Sequence, residues 1–143
     1  MQRRFQAGWD ALTRPLARLL TDRNFDRLLS SVVAYLAEVL EKRVWSYYGR
    51  VNELGAVRLE RDVSGVVGAV VRGGRYALRD AFGRCVQVCM VMNMEEDEWE
   101  EVVRGVGEWG DGGGGGRDAG EGLEWRIDAE ERARARGMIR RGR

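Results

Sequence analysis

The stretch Tyr76–Met94, YALRDAFGRCVQVCMVMNM, decides the reading of the whole chain. Leu78, Phe82, Cys85, Cys89 and Met92 recur at spacings of four, three, four and three, which places them on one stripe of a helix. Ala81, Arg84, Val88 and Val91 form a second stripe beside the first. A helix apolar on two faces belongs at the centre of a bundle, with neighbours on both sides. Arg84 interrupts the second stripe, so it needs a partner supplied from elsewhere in the fold. Its plainer reading is a long side chain that snorkels from a half-buried face.

Helical patterns extend outward from that centre. Leu12, Leu16, Leu19 and Leu20 suggest a short amphipathic helix near the N-terminus, with Pro15 early in it. Thr21-Asp22 or Asn24 offers the cap of the next helix. Phe25, Leu28, Leu29, Val32, Leu36, Val39 and Leu40 line its inner side, and Glu38, Glu41, Lys42 and Arg43 mark its solvated face. This helix is expected to run past Trp45 and Tyr47, with a break at Asn52 and Gly55. A third helix carries Leu59, Val63, Val66, Val67 and Val70, with Asp62 as its cap or first-turn residue. Gly65 and Gly68 weaken it by about 1 kcal/mol each against alanine, and imply close approach of another helix.

Beyond the central helix, Asn93 suits a helix end. Glu95, Glu96, Asp97 and Glu98 crowd the first turn of a further helix, where carboxylates oppose the positive pole. Trp99, Val102, Val103 and Val106 give it an apolar stripe that fails at Gly105–Gly110. Residues 110–122, GDGGGGGRDAGEG, read as a flexible linker with nothing to bury. Asp128 and Glu131 have capping-box spacing for a last short helix, which ends in the basic tail Arg140-Arg141-Gly142-Arg143. The expected architecture is all-α, an antiparallel helical bundle with a Gly-rich disordered loop. Its segments are a lead-in over 1–23, the main bundle over 24–109, the loop over 110–122, and a C-terminal helix and tail over 123–143.

Composition narrows the function. The 143 residues suit one domain and bury about two-thirds of the unfolded chain's surface. With 24 basic and 23 acidic residues the net charge is +1, so no global field draws the chain to nucleic acid or an anionic membrane. Histidine is absent, no Ser or Cys has a base beside it, and no catalytic constellation emerges. Cys85 and Cys89 sit one helical turn apart and read as small core residues of a reducing compartment. No cofactor or metal is implied. The glycine run lacks the Gly-Lys-Ser/Thr of a phosphate-binding loop. No stretch approaches the ~18 apolar residues of a membrane span, and no secretory signal is evident.

Three segments resemble the C-terminal region of the subunit 4 family of the conserved oligomeric Golgi complex, a multisubunit vesicle tether built from helical rods. They are Asn24–Gly55, NFDRLLSSVVAYLAEVLEKRVWSYYGRVNELG; Leu78–Met94, LRDAFGRCVQVCMVMNM; and Leu123–Ile139, LEWRIDAEERARARGMI. Order and approximate spacing agree over most of residues 24–139, and RDAFGR and the Trp-Arg-hydrophobic start of the last block are the most specific parts. The family is many hundreds of residues long, so the resemblance implies a C-terminal fragment, a truncated gene model or a diverged paralogue. Ala129 stands where the family has a proline, and the last helix is rich in arginine and alanine where the family is rich in leucine.

The resemblance implies a non-enzymatic module, helical-rod or coiled-coil in kind, acting in intra-Golgi retrograde transport and Golgi organisation. It implies a peripheral place on the cytoplasmic face of the Golgi membrane. The implied partners are other subunits of the tethering complex, with SNARE or SNARE-regulating fusion proteins as a further set. Nucleic acid is not among them, and membrane contact comes through partners. On the residues, the resemblance puts Arg84 and Glu131 on a structural ion pair, and Phe82, Trp109 and Trp125 on core or docking positions. Glu131 thereby gains a role that competes with its capping box. The alternative reading is a basic-tailed helical module that binds RNA or phosphoinositide.

Overall fold

In the computed structural model, residues 2–72, 75–108 and 124–140 are described, and for residues 106–108 the backbone alone. From Phe82 onward the stretch singled out from the sequence lines the core, whereas Tyr76 and Val86 are exposed. Phe82, Cys85, Val88, Cys89, Val91 and Met92 are all buried, and Phe82, Val88, Val91 and Met92 have no exposed surface. It is not one continuous helix, however. Tyr76–Phe82 winds as a 3-10 helix, η1, and the α-helix begins only at Gly83. Gly83 explains the local fit: a Cβ there would lie 2.7 Å from the Cδ of Arg126, so the side chain of Arg126 rests against bare backbone.

Six α-helices form among the described residues: α1 (Gln2–Leu19), α2 (Asp22–Trp45), α3 (Glu53–Val70), α4 (Gly83–Asn93), α5 (Glu96–Glu108) and α6 (Ala129–Arg136). They make an all-α antiparallel bundle in which α4 packs against α2, α3 and α6. α1 packs chiefly against α3. Its inner face keeps half of the leucine row read from the sequence, with Leu16 and Leu20 packed against the core. Trp9 is buried and Phe5 stacks on it at 6.1 Å, whereas Leu12 and Leu19 are exposed. Pro15 lies in the C-terminal half of α1 rather than at its start. The large aromatic surfaces of Phe5 and Trp9 turn the buried face away from Leu12 and Leu19.

Caps set the other boundaries. The Thr21 side chain accepts from the Asn24 amide and starts α2. α2 stops at Trp45, earlier than expected, and a turn with Gly49 at φ +67° follows. Only glycine adopts that conformation without strain. Asn52 caps α3 through the Gly55 amide, so Asn52 and Gly55 begin a helix rather than break one, and Asp62 lies mid-helix. Of the two α3 glycines, Gly65 does meet a neighbour, the Gln2 side chain of α1, while a Cβ at Gly68 would meet open space. Asn93 ends α4 and also ties it to α3, donating to the Ala56 carbonyl at 3.1 Å and to Glu60 at 2.8 Å.

After α6 the chain returns to the α2–α3 turn. Gly49 N–H donates to the Met138 carbonyl, Arg140 N–H donates to the Val51 carbonyl, and Val51 and Ile139 form a parallel bridge. The expected linker at 110–122, Trp109 and the tail residues 141–143 lie outside the described residues.

Candidate functional site: an arginine junction between three helices

Arg84 enters from the first turn of α4, Glu41 from the last turns of α2, and Glu131 from the first turn of α6. The guanidinium has five N–H groups, and each finds an acceptor. Nε donates to Glu41 Oε2 at 3.3 Å and Nη2 to Glu41 Oε1 at 3.0 Å. Nη2 also donates to Glu131 Oε1 at 2.5 Å, and Nη1 to Glu131 Oε2 at 3.4 Å. The last Nη1 hydrogen goes to the main-chain carbonyl of Arg126 at 2.9 Å. Two carboxylates are thus held by the two edges of one planar fork, an arrangement a lysine ammonium cannot reproduce.

The junction sits in a groove rather than in the interior. The side chain of Arg84 is 41% exposed, that of Glu41 20% and that of Glu131 30%. Solvent screening therefore keeps each pair well short of a buried ion pair's worth. Glu131, and then Glu41, push the Arg84 guanidinium above its ordinary value. The Arg84 fork, and then the Asp128 amide, hold the Glu131 carboxyl below the usual glutamate range.

Glu131 does not have to choose between its two roles. Its Oε2 accepts from the Asp128 N–H at 2.9 Å while the Asp128 side chain accepts from the Glu131 N–H at 2.8 Å, closing the capping box. The same carboxylate faces Arg84. A carboxylate has about four lone-pair sites, so cap and ion pair coexist.

Around this centre every arginine from Arg126 to Arg136 is engaged. Arg126 bonds the side chain of Asp80 and its carbonyl, and its own N–H donates to Gln87 Oε1 at 2.7 Å. Gln87, buried on α4, donates in turn to the Glu124 carbonyl at 2.7 Å. Arg132 is buried, lies over the Trp125 ring at 4.9 Å and donates to the Ile127 carbonyl. Arg134 lies over Trp45 at 4.9 Å. Arg136 faces Trp99 at 6.0 Å, donates to the Met94 carbonyl and pairs with Glu96 at 2.7 Å. Cation–π contacts of this kind contribute about 0.5–2 kcal/mol each. An arginine-rich helix therefore docks through its guanidinium faces where a leucine-rich one would dock through aliphatic surface.

Of the site residues expected from the sequence, Arg84 and Glu131 meet directly, Phe82 is fully buried in the core, and Trp125 is half-buried under Arg132. Glu41 had been assigned to the solvated face of α2, and that is corrected: it accepts from Arg84 and from Trp45 Nε1 at 3.3 Å. No signal on α2 itself marks it, since Glu41 stands among the charges Glu38, Lys42 and Arg43 and its partner comes from α4.

Cys85 and Cys89 are buried free thiols, and the hydrogen bond from Cys85, with burial second, pushes the Cys89 thiol up, away from thiolate reactivity. Among the described residues no group of three His, Cys, Asp or Glu side chains is placed to hold a metal ion, and no helix is long and apolar enough to cross a membrane.

Comparison with known proteins bears directly on this helical junction. Residues 1–134 match the model of the family described as "Conserved oligomeric Golgi complex subunit 4, C-terminal". The chain belongs to that family. It is 28% identical over 134 residues to conserved oligomeric Golgi complex subunit 4 of Saccharomyces cerevisiae, covering 94% of this chain and 14% of the relative. It is 26% identical over 123 residues to the Arabidopsis thaliana subunit 4, covering 86% of this chain and 15% of the relative. The chain thus spans about one-seventh of the length of these curated relatives. No solved structure matches it. The family match includes α1, all of the central bundle and α6 up to Arg134, and so contains all three residues of the junction.

Proposed function

We propose that the chain is a non-enzymatic module of a Golgi vesicle-tethering complex, acting in intra-Golgi retrograde transport from the cytoplasmic face of the membrane. The observation that carries this reading is the family match over residues 1–134. Its partners are other subunits of the complex, and SNARE or SNARE-regulating proteins form a second tier. The mechanism is structural. Arg84 and Glu131 clamp the last helix onto the core, with Glu41 as the third member, and the stiffened bundle presents a fixed surface to its partners. Phe82 and Trp125 set the packing beneath the clamp, and the segment divisions at 23/24, 109/110 and 122/123 are retained as its functional parts.

The alternative, a basic tail that binds RNA or phosphoinositide, draws no support from α6, because Arg132, Arg134 and Arg136 are committed within the fold. Affinity purification of the endogenous protein, followed by mass spectrometry of stoichiometric partners, tests the reading. Recovery of the other tether subunits is expected. Recovery of RNA-associated proteins in their place would overturn it.

A further inference from the structure

A second group of arginines behaves in the opposite way to those around Arg84. Where the chain end meets the α2–α3 turn, an open cleft of about 480 Å³ is lined by Arg50, Arg58 and Arg140, with Tyr47, Asn52 and Asp62 among its other walls. That volume falls within the range of small-molecule sites. None of these three guanidinium groups has an ion-pair or side-chain hydrogen-bond partner among the described residues. Asp62 is the one acidic wall residue, so the cleft is left with an excess of positive charge.

The three arginines reach the cleft from different parts of the chain. Arg50 belongs to the turn after α2, Arg58 to the second turn of α3, and Arg140 to the segment after α6. The main chain holds two of them there, since Arg50 N–H donates to the Tyr47 carbonyl and Arg140 N–H to the Val51 carbonyl at 2.8 Å. The backbone therefore gathers three guanidinium groups at one cleft against a single wall carboxylate, Asp62. An anion with several acceptor oxygens would balance the excess charge, and planar guanidinium forks match phosphate bidentately. Asn52 also places the positive end of α3 beside the cleft.

We propose that this cleft binds a small phosphorylated anion, either free or as the headgroup of a lipid. The ligand's phosphates would engage Arg50, Arg58 and Arg140, and its organic body would lie against Tyr47. The site is separate from the Arg84 junction, and it does not depend on the tethering reading. It also differs from a basic-tail site, because two of its three cations lie in the α2–α3 region.

Calorimetric titration of the full chain with inositol hexakisphosphate tests the proposal. Saturable binding is expected, weakened about tenfold or more in Arg58→Glu and in Arg140→Glu. Arg27→Glu, which makes the same charge change on the exposed side of α2, should leave binding within about twofold of the parent. Each variant's circular dichroism and melting temperature should match the parent, since among the described residues these side chains have no ion pair or hydrogen bond to lose. Co-sedimentation with phosphatidylcholine vesicles, with and without phosphatidylinositol phosphates, then separates the sources. Retention on the phosphoinositide vesicles that is lost in Arg58→Glu identifies a lipid headgroup, and binding of the free compound alone identifies a soluble ligand. Absence of binding, or equal loss in Arg27→Glu, would overturn the proposal. So would binding of a glutamate-rich peptide through the same arginines without binding of inositol hexakisphosphate, which would point to a protein partner.

Discussion

The molecule uses one residue type in two contrasting ways. At the α2–α4–α6 junction, Arg84 has all five N–H groups satisfied, and its neighbours Arg126, Arg132, Arg134 and Arg136 lie on aromatic rings, carbonyls or carboxylates. At the α2–α3 turn, Arg50, Arg58 and Arg140 share a cleft and have no side-chain partners among the described residues. The difference separates arginine as a structural element from arginine as a waiting recognition group. A near-neutral total charge conceals both.

If the contrast holds, charge reversal at Arg84 has the largest effect. Arg84→Glu would set a third carboxylate between Glu41 and Glu131, and we expect a loss of about 2–3 kcal/mol. That is below the cost of breaking a fully buried pair because the groove is partly solvated. It corresponds to a fall in melting temperature on the order of 5–10 °C for a chain of this size. Restoring opposite charge with Glu131→Arg should recover only part of this loss. Glu41 would still face the carboxylate introduced at position 84, and the guanidinium introduced at position 131 could not accept from the Asp128 amide. Thermal melts of the two singles and the double mutant check the ordering.

Removing the cap alone sharpens the same comparison at smaller cost. Asp128→Ala should destabilise by about 1 kcal/mol, measured by urea unfolding, since it removes one half of the capping box and leaves the Arg84 pairs in place.

Acidification gives the next effect. The Glu131 carboxyl is held below its ordinary value of 4.5, so its contribution is fully present above about pH 4.5 and is lost as pH falls through the lowered folded value. Stability should therefore fall with pH in that acidic window, and less steeply in Arg84→Ala, where the main cause of the shift is gone. Denaturation midpoints at a series of acidic pH values read this slope.

The smallest effect belongs to the other region. Arg58→Ala removes no ion pair or side-chain hydrogen bond among the described residues and should change stability by less than about 0.5 kcal/mol. A large loss there would erase the distinction between the two arginine groups.

The helical order of the chain was legible because periodicity and capping are local properties. The two stripes of Tyr76–Met94, the Thr21 cap and the Asp128–Glu131 box all rest on residues within a turn of one another. Arg84 could be recognised as needing a distant partner because it interrupts an apolar stripe, and the family resemblance supplied Glu131. Glu41 was not legible: on its own helix it belongs to a charged run, and only the placement of α4 turns it inward. The pairing of Arg132 with Trp125 and of Arg134 with Trp45 was hidden for the same reason, since it depends on where α6 lands. The 3-10 winding of Tyr76–Phe82 leaves the apolar spacing nearly intact, so spacing alone reads it as α-helix. The burial of Trp9 and the exposure of Leu12 and Leu19 reflect tertiary packing overriding part of the pattern within α1.

The central claim is that Arg84 couples energetically to the last helix. A double-mutant cycle of Arg84→Ala and Glu131→Ala, followed by urea unfolding, measures that coupling directly. The loss of the cap in Glu131→Ala appears on both sides of the cycle and cancels. The account predicts a coupling of about 1 kcal/mol or more; a value within about 0.3 kcal/mol of zero would contradict the clamp.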